Sequence, residues 1–237
     1  MTSSIGAVAY GGKVITYEVL FVSRKTLEIA VHPDSRVIVK APKGTDNKAI
    51  ESRVKKRARW IRRQQDYFQQ FDPRTPPRQY VGGETHRYLG RQYRLKLVQG
   101  EKESVKLTRG RFWITCPDRN DAQKIENLLW LWYSHRAHEK FEESFDRCWP
   151  NFEKMGLSCP RLKIRRMKTR WGSLSKSGTL TLNINLIQTP RECLEYVITH
   201  ELCHIKHHDH SPAFYSLLEK VMPDWEKRKH KLELALI

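Results

Sequence analysis

Polar and apolar positions follow two different periods along the chain. Between residues 13 and 41, "VITYEVLFVS" is apolar and β-branched, "TLEIAVHP" alternates, and "RVIVKAP" alternates up to a proline. Three strands are expected there. The period then becomes helical. Ile50, Val54, Ile61, Phe68 and Phe71 recur at helix spacing, and Thr45 or Asp46 can cap the start. The stretch "DPRTPPR" (Asp72–Arg78) breaks both patterns with three prolines and reads as a linker. Alternation resumes in "GETHRYLG", "RQYRLKLVQ", "ESVKLTRG" and "RFWITCP", which together suggest a meander of short antiparallel strands.

Helical spacing returns from Asn120 to about Glu153. Asn120 or Asp121 is the natural cap, and Ile125, Leu129, Trp132, Ala137 and Phe141 lie on the apolar stripe. Core packing, rather than base stacking, is the expected role of its aromatics. Next come a strand at 161–168, a Trp-Gly turn, and a strand at 178–186. The chain is helical from Thr189 on, with Pro190 in a first turn and new helices near Ser211-Pro212 and Pro223-Asp224. The fold class is therefore α+β. It divides into N-terminal strands plus a basic helix (1–72), a β meander (79–118), and a helical C-terminal part (120–237). No internal repeat is evident.

Composition narrows the function classes. Of 237 residues, 39% are hydrophobic and 30% charged, which suits a packed globular core. No apolar run approaches the 18 residues of a membrane span, and the first residues do not resemble a secretory signal. The five cysteines are scattered and include no CxxC, so a reducing, cytoplasmic setting is expected, with neither a disulfide framework nor a membrane partner. The formal charge of +18 would attract polyanions. On the basic helix, Arg53, Lys56, Arg59 and Arg63 are candidate nucleic-acid contacts, although such runs are commonly just solvated faces. Oligomeric state is not legible.

The densest chemistry lies in "VITHELCHIKHHDHSPAF" (Val197–Phe214). Its "HELCH" core places His200 and His204 four residues apart, on one helix face, where both can reach one ion. Glu201 follows the first histidine and can serve a metal-bound water as general base. A catalytic zinc needs a third protein ligand. His207 would lie about 10 Å along the axis from His200 if the helix continued, so it fits poorly. His210 fits if the helix stops after His204 and the chain reverses, and Pro212 favours such a break. The spacing equals that of metzincins, but His207 stands where their turn glycine would be. The rival third ligand is Glu219, in the manner of gluzincins. Tyr215, Arg170 and His207 are candidate transition-state contacts. Asn185 or Asn183 is a candidate substrate contact on an edge strand beside the zinc helix. Asp209 could orient a ligand histidine or simply cap a turn, and Cys203 and Trp171 read as packing residues.

These residues carry a family resemblance. "VITHELCHIKHHDHSPAFY" with "MPDW" after it, and "MKTRWGS" with "LTLNINLI" before it, resemble the YgjP-like metallopeptidase family in content and order. The likeness is greatest over Arg161–Trp225, and "YVGGETHRYLGRQYRLKL" extends it toward the N-terminus. More distantly, the chain is similar to SprT and WLM proteases, which act on proteins crosslinked to DNA. The resemblance implies a minimal zincin-like domain with a small sheet and the HExxH helix. It also implies Zn2+ as cofactor, His210 as third ligand, and protein or peptide substrates. Leu174 departs from the pattern, because the family often has cysteine after "WGS". The expected function is a zinc-dependent peptidase using a Glu-activated zinc-bound water, acting near nucleic acid. The alternative is a basic nucleic-acid-binding protein with a non-catalytic zinc site. Glu201 argues for the enzyme, since a structural site needs no base beside its ligands.

Overall fold

The computed structural model describes residues 3–32, 34–69, 76–167 and 170–235. The chain forms two compact units, Met1–Thr75 and Pro76–Ile237. In the first, β1 (Ser3–Tyr10), β2 (Lys13–Val22), β3 (Glu28–Val31) and β4 (Val37–Pro42) form a sheet ordered β1-β2-β4-β3. Ile15, Tyr17, Val19, Val37 and Val39 share a core with Ile50, Val54, Ala58 and Ile61 of α1 (Asn47–Gln69). The apolar stripe expected for α1 is thus buried at Ile50, Val54 and Ile61. The side chain of Phe68, and Phe71 with the first linker residues, lie outside the described residues. Arg53, Lys56, Arg59 and Arg63 are exposed on α1.

Strand β1 is absent from the sequence expectation. Its small residues and an Ile5 that is 84% exposed conceal the alternation. The available signal was the Gly11-Gly12 pair, which joins β1 to β2 with φ of 57° and 73°. Two positive-φ residues between apolar runs make a tight hairpin turn whose twist suits the strands.

The second unit opens with β5 (Thr85–Tyr88), β6 (Arg91–Gln99), β7 (Ser104–Thr108) and β8 (Arg111–Cys116), ordered β5-β6-β8-β7. This is not a simple antiparallel meander. β6 and β8 run parallel, with Leu95 opposite Phe112, and β7 pairs antiparallel on the outer side of β8. Alternation specifies the face a residue occupies but not the strand beside it, so a meander and this mixed order share one sequence pattern. The inner face, with Tyr88, Leu95, Phe112 and Ile114, packs with Ile125, Leu129 and Tyr133 of α2 (Ala122–Cys148). Asp121 caps α2 by accepting from the Lys124 amide at 2.9 Å. Trp132 meets Phe112 and Tyr88 edge-on, with ring centres 5.0 and 4.9 Å apart, so this aromatic cluster is core.

After α3 (Pro150–Glu153), a three-stranded sheet carries β9 (Arg161–Arg165), β10 (Gly172–Leu174) and β11 (Thr179–Asn183), ordered β10-β11-β9. The expected Trp-Gly turn is instead the entry to β10. The strand expected at 161–168 ends at Arg165, and Lys168 and Thr169 lie outside the described residues. The strand expected to reach residue 186 stops at Asn183. That buried side chain donates to the Met167 and Arg170 carbonyls, both at 2.8 Å, and accepts from the Asn185 amide at 3.1 Å. It thereby caps a 3-10 helix at Ile184–Gln188. The chain ends in α4 (Arg191–Cys203), α5 (Pro212–Val221) and α6 (Trp225–Ala235). α4 packs against α2, α5, α6 and β10. The α+β class expected from the sequence is the one observed.

Candidate metal centre and active site

The site is built on the last turn of α4 and the reversal after it. His204 is the C-cap, and its amide donates to the Glu201 carbonyl at 3.1 Å. Tight turns follow through Ile205, Lys206 and His207. Ser211 is extended, and Pro212 opens α5. A proline disfavours helix at the residue before it and suits a first helical turn, so "HSP" both ends one element and starts the next.

The reversal brings His210 back over α4. Its Nε2 lies 3.0 Å from Nε2 of His200. One ligand atom each from His200, His204 and His210 falls within 4.8 Å of the others. His204 Nδ1–H donates to the His207 carbonyl at 2.9 Å, which leaves its Nε2 as the accepting nitrogen. Burial, reinforced by the neighbouring His204 and His210, lowers the His200 pKa to about 4. It is therefore neutral near pH 7, as a metal ligand must be. Phe214 is fully buried beneath the cluster, with its ring centre 5.0, 4.6 and 4.8 Å from those of His200, His204 and His210. Sequence reasoning passed over Phe214. Its signal was an apolar residue one helical turn beyond His210.

Glu201 is buried beside the triad. Burial raises its pKa to about 7, against the lowering effects of the Leu174 backbone hydrogen bond and the Arg170 charge. Strand β10 supplies that hydrogen bond and comes so close that only glycine fits at 172. A Cβ there would sit 2.8 Å from Glu201 Cγ and 2.9 Å from Val197 Cγ1.

The histidines and Glu201 line a cavity of about 530 Å3 with Arg170, Ser158, Gly172–Leu174 of β10 and the Ser175 and Lys176 that follow it. Of the further candidates, Arg170 faces this cavity. Asn185 does not line it: it lies past the end of β11, in the 3-10 helix Ile184–Gln188, and the sheet edge beside α4 is β10. Tyr215 is 40% exposed, and its ring centre is 6.2 Å from that of His210 and 5.5 Å from that of Trp225. His207 contributes its carbonyl rather than its ring. Asp209 is exposed and acts on His210 through its charge. Glu219 is exposed on α5 and stands outside the histidine cluster. Cys203 and Trp171 pack in or against the core, as expected.

The donor set fits a metal ion. Two imidazole nitrogens facing each other at 3.0 Å are close to the roughly 3.3 Å separation that tetrahedral Zn–N bonds of about 2.0–2.1 Å require. A cation between them satisfies both lone pairs.

The family model of the YgjP-like metallopeptidase domain matches residues 25–235. The chain belongs to the YgjP-like metallopeptidase family. Membership makes it a metal-dependent hydrolase of the peptidase class. Among curated proteins, none matches it. Two solved structures, both of metallopeptidase zymogens, are similar to it in part. Jannalysin of Methanocaldococcus jannaschii is 23% identical over 41% of this chain and 97% of its own, with a TM-score of 0.36. Abylysin of Pyrococcus abyssi is 28% identical over 41% of this chain and 99% of its own, with a TM-score of 0.34. Among the described residues, no helix is long and apolar enough to cross a membrane.

Proposed function

We propose that the chain is a zinc peptidase in which His200, His204 and His210 hold the ion and Glu201 is the general base. The observation that carries this reading is the meeting of the three histidines with a buried carboxylate in one cavity. Zinc bound there would polarise the scissile carbonyl and lower the pKa of a water toward about 7. Glu201 accepts the proton of the attacking water as the new C–O bond forms, and delivers it to the leaving nitrogen as the C–N bond breaks. Arg170 faces the same cavity and supplies a donor for the carbonyl oxygen as it gains negative charge. The edge of β10 pairs with an extended substrate, in the manner of strand addition.

The test is metal analysis and peptidase assay of wild type beside Glu201→Gln and His210→Ala. Wild type should hold about one zinc per chain. Glu201→Gln should keep the zinc and lose activity, by two orders of magnitude or more. His210→Ala should lose most of the zinc. Full occupancy in His210→Ala would remove His210 from the ligand set.

A second element of the reading is proximity to nucleic acid, supported by the +18 charge and the exposed Arg53, Lys56, Arg59 and Arg63 of α1. These side chains would contact phosphates and release counterions, so DNA binding should weaken steeply with salt. Proteolysis that is the same with and without DNA, with no salt-sensitive binding, would count against it.

A further inference from the structure

The four strands β5 to β8 comprise 24 residues with no aspartate or glutamate among them. Six are arginine or lysine: Arg87, Arg91, Arg94, Lys96, Lys106 and Arg111. Their distribution between the two faces is set by register. The inner face, with Leu95, Phe112 and Ile114, is core against α2. On the outer face, Arg94 stands opposite Arg111, with Thr85 and Thr108 beyond them. In the adjacent row, Trp113 lies between Lys96 on β6 and Lys106 on β8's other neighbour, β7. Arg94, Lys96, Lys106 and Arg111 are all exposed, and so is Arg109 in the β7–β8 turn. The acids of the β6–β7 connection are Glu101 and Glu103, and Glu103 is paired with Lys124 at 2.7 Å.

Like charges directly opposite each other destabilise a sheet, so Arg94 beside Arg111 is a cost without an intramolecular return. Trp113 adds an aromatic plane at the centre of the patch. The Lys96 ammonium sits 4.2 Å from the ring centre, the distance of a cation–π contact. Trp113 is half-buried, and its indole Nε1–H is buried with no hydrogen-bond partner among the described residues. A row of cations around one aromatic face on a β-sheet matches the two demands of an unpaired nucleic-acid strand. Phosphates need positive side chains, and an unstacked base needs a ring to lie on. Duplex DNA would use the charges but not the ring, because its bases are already stacked.

We infer that the outer face of the β5–β8 sheet binds single-stranded nucleic acid, with Arg94, Lys96, Lys106 and Arg111 on phosphates and Trp113 stacked on a base. This surface shares no residue with the cavity lining or with α1, and its binding depends on neither.

The test is fluorescence anisotropy of the full chain with labelled 12-nucleotide single strands, one DNA and one RNA, beside duplex DNA and polyglutamate as competitor. Wild type should bind at least one single strand more tightly than the duplex; binding of either sugar supports the inference. Charge reversal at Arg94, Lys96 and Lys106 should weaken binding at least ten-fold and flatten its salt dependence by about two units of slope. Trp113→Ala should weaken single-strand binding about ten-fold, and Trp113→Phe should restore most of it. A far-UV circular dichroism spectrum equal to that of wild type and a cooperative thermal transition show that these surface variants are folded. Charge reversal at Arg53 and Arg59 on α1 should leave the Trp113 effect in place, which separates this surface from the helix. The inference is overturned if wild type does not bind single strands, or if Trp113→Ala and the charge-reversed sheet bind as tightly as wild type. Polyglutamate competing as well as the oligonucleotide would also overturn it.

Discussion

Gly172 illustrates how much of this site depends on a distance rather than a functional group. The absent side chain lets β10 approach Glu201 closely enough for the Leu174 amide to reach the carboxylate. In Gly172→Ala the new carbon would press on Glu201 Cγ and Val197, so either the strand or the carboxylate must shift. Overpacking of this kind costs about 1–3 kcal/mol, and a displacement of about 1 Å at a catalytic group can cost about 100-fold in rate. The variant should therefore keep its zinc, since no ligand is touched, and lose kcat by about ten- to a hundred-fold with a modest fall in thermal midpoint. Metal analysis with steady-state kinetics checks this, and an unchanged kcat would show that the close approach does not position Glu201. Leu174 matters through the same contact. The family's frequent cysteine is absent, but the backbone hydrogen bond from that position survives any side chain other than proline, which has no N–H to donate.

The helices were more legible than the strands, for physical reasons. A histidine pair at i and i+4 is visible within one helix, and Pro212 announces the reversal that returns His210 to it. α4 and α5 therefore appear where the pattern places them. β10 has three residues and no alternation to detect, and its neighbour β11 is the middle strand of the sheet, between β10 and β9. Hence Asn185 was expected on an edge that belongs to β10. Contacts between helices were equally hidden, because ionic partners far apart in sequence leave no periodic trace. Glu195 on α4 accepts from Arg147 of α2 at 2.9 Å and from Arg228 of α6 at 3.0 Å. The Glu195 and Arg228 side chains are only 19% and 22% exposed. Glu192 and Lys231 join the same two helices, α4 and α6, but are 39% and 54% exposed. Partly buried charged hydrogen bonds outweigh exposed pairs. Glu195→Ala should thus destabilise by about 1–3 kcal/mol, while Glu192→Ala should cost under about 1 kcal/mol. Urea denaturation of the two variants decides the order, and equal losses would mean that burial does not distinguish the two pairs.

At the scale of the whole molecule, each unit has its own hydrophobic core, and the histidine cluster belongs to the second. A ligand that binds only the folded form of one unit stabilises that unit by RT ln(1 + [L]/Kd), about 4 kcal/mol at a thousand times Kd. For a unit of this size, each kcal/mol moves the midpoint by roughly 2–4 °C. Chelation should accordingly lower the melting of the second unit by about 10 °C and leave that of the first where it was. Six of the seven tryptophans (Trp113, Trp130, Trp132, Trp149, Trp171 and Trp225) lie in the second unit, and only Trp60 lies in the first. Intrinsic fluorescence therefore follows the metal-binding unit almost alone, and calorimetry follows both. The expected result is a large chelator shift by fluorescence and, by calorimetry, the same shift in one component of the heat-absorption profile. His210→Ala should melt near the chelated midpoint whether or not chelator is added, because it has little metal to lose. If chelator moved its midpoint as far as that of wild type, the ion responsible would be bound elsewhere than at His200, His204 and His210.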